Sequence, residues 1–172
     1  EYVSIEGRIN RLNVYLGSLR NGERSAVVLP ERRSITGKPD EWKGRKDELI
    51  GDYLYELDPS LVKSGLMAKH LMELDSDLSV ISIDKRRTLV SSAETVSSPF
   101  FKDGYLLIGR VDEQDLKAEL EKADAGSVTL RWNIHPSRYW EKRNEIEKGL
   151  TGKRKVHLFR WMGYLLTEKV EG

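Results

Sequence analysis

The sequence predicts an α+β fold: one mainly antiparallel sheet, helices packed against it, and a β-hairpin near the N-terminus. Three observations carry this prediction. Apolar and polar residues alternate through the first thirty positions, the period of half-buried strands. Helical stripes of apolar residues then appear among further strands, without the regular βαβα order of a parallel sheet. Gly, Pro and Asn fall between these segments, where turns are needed. With 172 residues, 38% of them hydrophobic and 33% charged, the chain is long enough to bury a core of its own. It is expected to form a single globular domain over residues 1–172, with a long basic loop at 31–46.

Val3, Ile5 and Ile9 alternate with polar residues, and the alternation resumes at Leu12, Val14 and Leu16 after a slip that marks a bulge or turn. Asn21-Gly22 is a strong short-hairpin signal. Folding the chain there sets Leu16 against Val27, Val14 against Leu29 and Arg20 against Glu23. The stretch ERRSITGKPDEWKGRK (31–46) has little apolar periodicity, and Trp42 is its largest apolar residue.

DELIGDYLYEL (47–57) places Leu49, Ile50, Tyr53, Leu54 and Leu57 at helical spacing, which predicts a helix. Asp58-Pro59 is an N-cap followed by proline at the first helical position. The second helix carries Leu61, Gly65, Ala68 and Met72 along one side. SVISID (79–84) reads as a strand, Lys85-Arg86-Arg87 as a turn and TLVSS as the returning strand, before a serine-rich loop over 91–98. GYLLIGRV (104–111) is apolar on both sides, as a central strand requires. A helix from Asp112 to about Asp124, a strand over 127–134, a helix opened by Pro136 and stopped by Gly149, and one last strand over 152–166 complete the order.

Net charge is +1, yet it is unevenly spread: residues 1–46 carry +4, residues 47–126 carry −8 and residues 127–172 carry +5. Such asymmetry fits a basic face for an anionic partner or charge-complementary self-association. There is no cysteine, which excludes disulfides, thiolate metal sites and cysteine nucleophiles. No apolar run reaches the length of a membrane-crossing helix, and an intracellular setting, cytoplasm or nucleus, is expected. No nucleophile elbow, dinucleotide fingerprint or phosphate-binding loop occurs. His70, His135 and His157 are scattered, and PDEWK (39–43) crowds into one loop the acids that a metal-dependent nuclease holds on separate strands. No catalytic residue, metal or cofactor is therefore predicted.

Read with period two, the last strand carries Lys153, Lys155, His157, Phe159 and Trp161 on one side. Alternating cations and rings on a sheet hold single-stranded nucleic acid, the cations at phosphates and the rings stacked on bases. The predicted function is accordingly non-catalytic polyanion binding, to RNA or single-stranded DNA, through these five residues with Arg131 and the loop arginines Arg32 and Arg33. A self-assembling scaffold or coat-associated protein, oligomeric or docked on an anionic membrane surface, is the second reading. A hydrolase or transferase with a site built from distant residues is the third. The nucleic-acid reading requires Phe159 and Trp161 to be open to solvent, whereas a second buried layer would seal them.

Overall fold

The computed structural model describes residues 1–74 and 76–170. Strands and helices coexist as expected for an α+β chain, but the strands form two sheets. The first is four-stranded and mixed, in the order β2-β1-β3-β4, from β1 (Tyr2–Ile5), β2 (Arg8–Leu12), β3 (Arg24–Leu29) and β4 (Arg33–Gly37). The N-terminal hairpin joins β1 to β2 through Glu6 and Gly7, both at positive φ. It does not turn at Asn21-Gly22. There β3 pairs parallel with β1 and antiparallel with β4, and Val14, Leu16 and Leu19 lie exposed in the connecting segment. A hairpin signal is local, and it loses when β1 offers the same strand a partner already in place. β4 also runs through the stretch read as a basic loop.

The second sheet has eight strands. They are β5 (Arg45–Lys46), β6 (Tyr53–Leu57), β7 (Leu78–Asp84), β8 (Arg87–Ser92), β9 (Phe101–Val111), β10 (Ala125–Leu130), β11 (Arg154–Arg160) and β12 (Tyr164–Val170). Its order is β10-β11-β12-β9-β6-β8-β7-β5. β6 and β9 pair antiparallel at the centre, and the pattern outward from each is the same. Two antiparallel neighbours come first, β8 then β7 on one side and β12 then β11 on the other. A parallel edge strand follows, β5 or β10. The sheet is thus two similar halves related by an approximate two-fold axis between β6 and β9. In each half a hairpin folds back so that its second strand enters beside the strand that began the unit, the split βαβ arrangement.

Four helices join these strands: α1 (Pro59–Ser64), α2 (Met67–Glu73), α3 (Leu116–Lys122) and α4 (Pro136–Glu147). Asp58 caps α1 by accepting from the Ser60 amide, with Pro59 next, as its sequence requires. Gly65, left-handed at φ 73, ends α1 and divides what reads as one helix into two. α1 and α2 bury Leu61, Leu66 and Leu71 with Tyr55, Leu57, Val80 and Val90 of the large sheet and Ala26, Val28 and Ile35 of the small one. α3 and α4 cover the other half, over Val128, Val156, Leu158 and Tyr164.

The opposite face of the large sheet also packs into a core. Leu54, Ile81, Leu89, Tyr105, Phe159, Trp161 and Leu165 form one cluster, to which no described helix contributes. Residues from both halves share this core without a described helix over it. A strap completes this core. Residues 47–52 leave β5 and cross the concave face to reach β6, giving the Glu48 and Ile50 amides to the Ser79 and Ser91 hydroxyls, with Leu49 pointing into the cluster. This strap replaces the predicted helix over 47–57. A Cβ on Gly51 would lie 2.2 Å from the Ser92 carbonyl oxygen, so the chain passes too close to β8 for a helix or any other residue. The predicted last strand is likewise a hairpin, β11 and β12, turned at Met162 and Gly163, both at positive φ.

Candidate functional site at the centre of the large sheet

The structure disperses the predicted binding surface. Phe159 is fully buried and Trp161 nearly so, at 0% and 8% exposure, inside the concave core. Phe159 packs edge-on against Tyr105 at 5.0 Å, and Arg110 sits over the Trp161 ring. His157 is buried as well. None of the three can stack on a base. Lys153 and Lys155 are exposed near the start of β11, whereas Arg32 and Arg33 are exposed at the turn between β3 and β4 on the other sheet. Arg131 is committed inward: its guanidinium lies 5.8 Å from the Tyr105 ring centre, and its Nε donates to His157 Nδ1 at 3.2 Å. Period two correctly separated the two faces of β11. Both faces are interior, because one meets α3 and α4 and the other meets the core shared by both halves.

At one end of the concave face the core turns polar, around the β6–β9 junction. Glu56 lies opposite Asp103, and Leu54 opposite Tyr105. Glu56, 4% exposed, accepts from Lys102 Nζ at 3.2 Å and lies 3.9 Å from Arg87 Nε. Arg87 in turn pairs with Asp84, and Asp103 pairs with Lys169 of β12. Tyr105 completes the group, its ring 5.4 Å from that of His157. Three buried side-chain atoms among the described residues lack a hydrogen-bond partner, namely Glu56 Oε2, Arg87 Nε and the Tyr105 hydroxyl. All three belong to this one cluster. An orphaned buried polar atom costs about 1–3 kcal/mol, so the cluster carries a local cost that the rest of the fold offsets.

Electrostatics set the protonation states here. Burial pushes the Tyr105 phenol well up, against the downward pull of Arg131, so it stays a neutral donor. Burial, helped by the charges of Arg131, Lys155 and Lys169 and opposed by Asp103, lowers His157 to about 4. Its imidazole is therefore neutral near pH 7, as the hydrogen bond accepted from Arg131 requires.

A pocket of about 420 Å³ borders the same residues. Lys102, Asp103, Tyr105 and Lys169 contribute to it. Tyr53, Tyr55, Phe101 and Val96 supply an aromatic and apolar wall, and Gly104 lies between the two groups in β9. Tyr55 and Phe101 are stacked, with ring centres 4.6 Å apart, and the Tyr55 hydroxyl accepts from the Val96 amide at 2.9 Å. A wider hollow near residues 12–25 is walled largely by exposed loop residues, with no comparable buried polar group. No group of three or more His, Asp or Glu side chains suited to a metal ion occurs among the described residues.

Sequence reasoning missed every residue of this central site except His157 and Arg131. A signal was present: YLYEL read with period two puts Glu56 on the same side as Leu54, an acid on an apolar strand face.

Comparison with known proteins adds one likeness of fold. No family model matches the chain, and no curated protein matches it in sequence. A solved structure described as a "putative methyltransferase from Porphyromonas gingivalis W83" is similar over 99% of this chain, at 15% identity and a TM-score of 0.50. The chain spans 45% of that protein's length. The shared feature is the fold. The non-catalytic reading as an RNA or single-stranded DNA binder through this surface is corrected: the rings meant to grip nucleic acid are sealed inside, and the protein that shares the fold is described by a catalytic activity. No described helix is long and apolar enough to cross a membrane.

Proposed function

We propose that this chain works in a transferase, with the central site holding the acceptor, and that the group transferred is the methyl named for its structural neighbour. The observation that carries the reading is an aromatic-walled pocket at the junction of two half-sheets, lined by Asp103 and by Tyr105, whose buried hydroxyl lacks a partner. Functional sites concentrate such unsatisfied and perturbed groups. In methyl transfer the acceptor's lone pair attacks the methyl carbon, the bond from that carbon to the donor breaks, and the acceptor's proton must leave. Asp103, which lines the pocket, supplies a carboxylate to take that proton, and neutral Tyr105 supplies a donor to orient the acceptor. Lys169 holds that carboxylate in place. The test is transfer of labelled methyl from S-adenosylmethionine to small molecules of a cell extract. Asp103→Asn is expected to lower the rate by about a hundredfold, within the range for general-base loss, with the thermal transition retained. Absence of transfer by the natural protein, or transfer unchanged in the folded variant, overturns the proposal.

A further inference from the structure

We infer that the pocket beside Gly104 receives an uncharged, planar heteroaromatic ring of about purine size. This names the acceptor's chemistry for the transferase reading and rests on that reading for the ring's role, though not for its binding. The first argument is the glycine. Glycine inside a strand weakens it and marks either a bulge or the close approach of another group. For other glycines in or beside this sheet a fold reason is visible: a Cβ on Gly51 of the strap or Gly126 of β10 would lie 2.2 or 1.9 Å from a backbone oxygen, and Gly109 sits at the β9–β12 bulge. At Gly104 no backbone atom crowds the position. The residue lies inside the central eleven-residue strand, its φ is outside the left-handed region, and an added Cβ would meet only the Tyr55 ring, at an ordinary 3.5 Å. What a side chain there would take is space beside that ring, in the pocket Gly104 lines.

The second argument is the lining. Tyr53 and Phe101 are only half-buried, so each keeps ring surface facing the pocket, and flat rings favour offset stacking on such surfaces. The Tyr55 hydroxyl accepts from Val96 and retains its own hydrogen to donate, beside the hydroxyls of Thr95 and Ser97. These are donors and acceptors for the edge of a heterocycle. Charge argues against a phosphate: the two lysines of the lining are each tied to a carboxylate, Lys102 to Glu56 and Lys169 to Asp103. The volume, about 420 Å³, falls in the range of small-ligand sites.

Calorimetric titration of the protein with guanosine, and with ribose as the ring-free control, tests this. Guanosine is expected to bind saturably and ribose not at all. Gly104→Val, whose branched side chain suits a strand, is expected to weaken guanosine at least about tenfold by overfilling the pocket while the melting temperature holds or rises. Gly104→Ala, at ordinary contact distance, is expected to show a smaller loss and decides the matter should the valine variant not fold. Absence of guanosine binding by the natural protein, or wild-type affinity in the folded variants, overturns the inference. Displacement of guanosine by S-adenosylmethionine would assign the ring site to the donor and overturn the acceptor assignment. Binding that obeys these expectations without any methyl transfer leaves the ring site standing and removes the transferase reading alone.

Discussion

Lowering the pH from 7.5 to 5.0 should destabilise the fold through His157, and the amount follows from its surroundings. An unfolded histidine titrates near 6.5, whereas His157 in the fold sits at about 4, chiefly because it is buried and secondarily because Arg131, Lys155 and Lys169 face it; Asp103 opposes them. With the folded value below the unfolded one, only the unfolded chain takes up the proton as pH falls through this window. Stability is therefore complete above about pH 7 and declines between 6.5 and 4. At pH 5.0 the loss is close to one and a half pKa units, or about 2 kcal/mol. Urea denaturation at a series of pH values measures it. His157→Gln should flatten the profile by about 2 kcal/mol relative to wild type over this range. His70, also lowered by burial, adds a component that His70→Gln removes separately. Profiles of equal slope in wild type and His157→Gln would refute the picture of a buried neutral imidazole held by Arg131.

Phe159→Ala should cost about 3–5 kcal/mol in urea denaturation, the penalty for emptying a large core site; a loss below 1 kcal/mol would mean the ring is not sealed. Gly51→Ala should destabilise by about 2 kcal/mol or more, because its Cβ meets backbone atoms of Ser92 and Ala93 at 2.2 Å, and an unchanged midpoint would refute the strap crossing. Leu16→Ser should change stability by less than about 0.5 kcal/mol, since Leu16 is exposed; a large loss would restore the hairpin at Asn21-Gly22. Asp58→Ala should cost about 1–2 kcal/mol by removing the cap of α1, read from the same curves.

The legible parts of the fold were those decided within a few residues. Asp58-Pro59 announced α1, Pro136 opened α4, and the alternation in 79–84 and 88–92 placed β7 and β8, because capping and strand period are local. The reading failed where distant partners decided the outcome. DELIGDYLYEL has a helical stripe, but the same Leu49, Leu54 and Leu57 serve a strap and a strand once β8 and β9 lie alongside to take their backbone hydrogen bonds. For the site the gap was wider. Basic and aromatic residues alternate on β11 whether that face meets water or a core, and nothing in 152–166 says which. Glu56, Asp103 and Tyr105 come together only through the β6–β9 register, which pairs residues 44 to 53 positions apart.

That register also explains why function should concentrate at the middle of this sheet. Each half satisfies itself: its hairpin folds back beside its first strand, and its helices cover one face. The seam between halves is different, because β6 and β9 are the strands that begin each unit, and the helices of one half have no reason to extend over the other. On the helical side the seam runs between a core built on α1 and α2 and another built on α3 and α4, and the Gly104 pocket borders it. On the concave side the seam carries Glu56 and Asp103 facing each other, acids that no isolated half would bury unpaired. Their countercharges come from both halves, Arg87 from β8 and Lys169 from β12, with Lys102 at the bulge of β9. A site assembled this way depends on the register of a single strand pair. A one-residue slip of β6 against β9 would reverse every side chain across the sheet, so the apolar Leu54–Tyr105 contact fixes the geometry that the polar groups use.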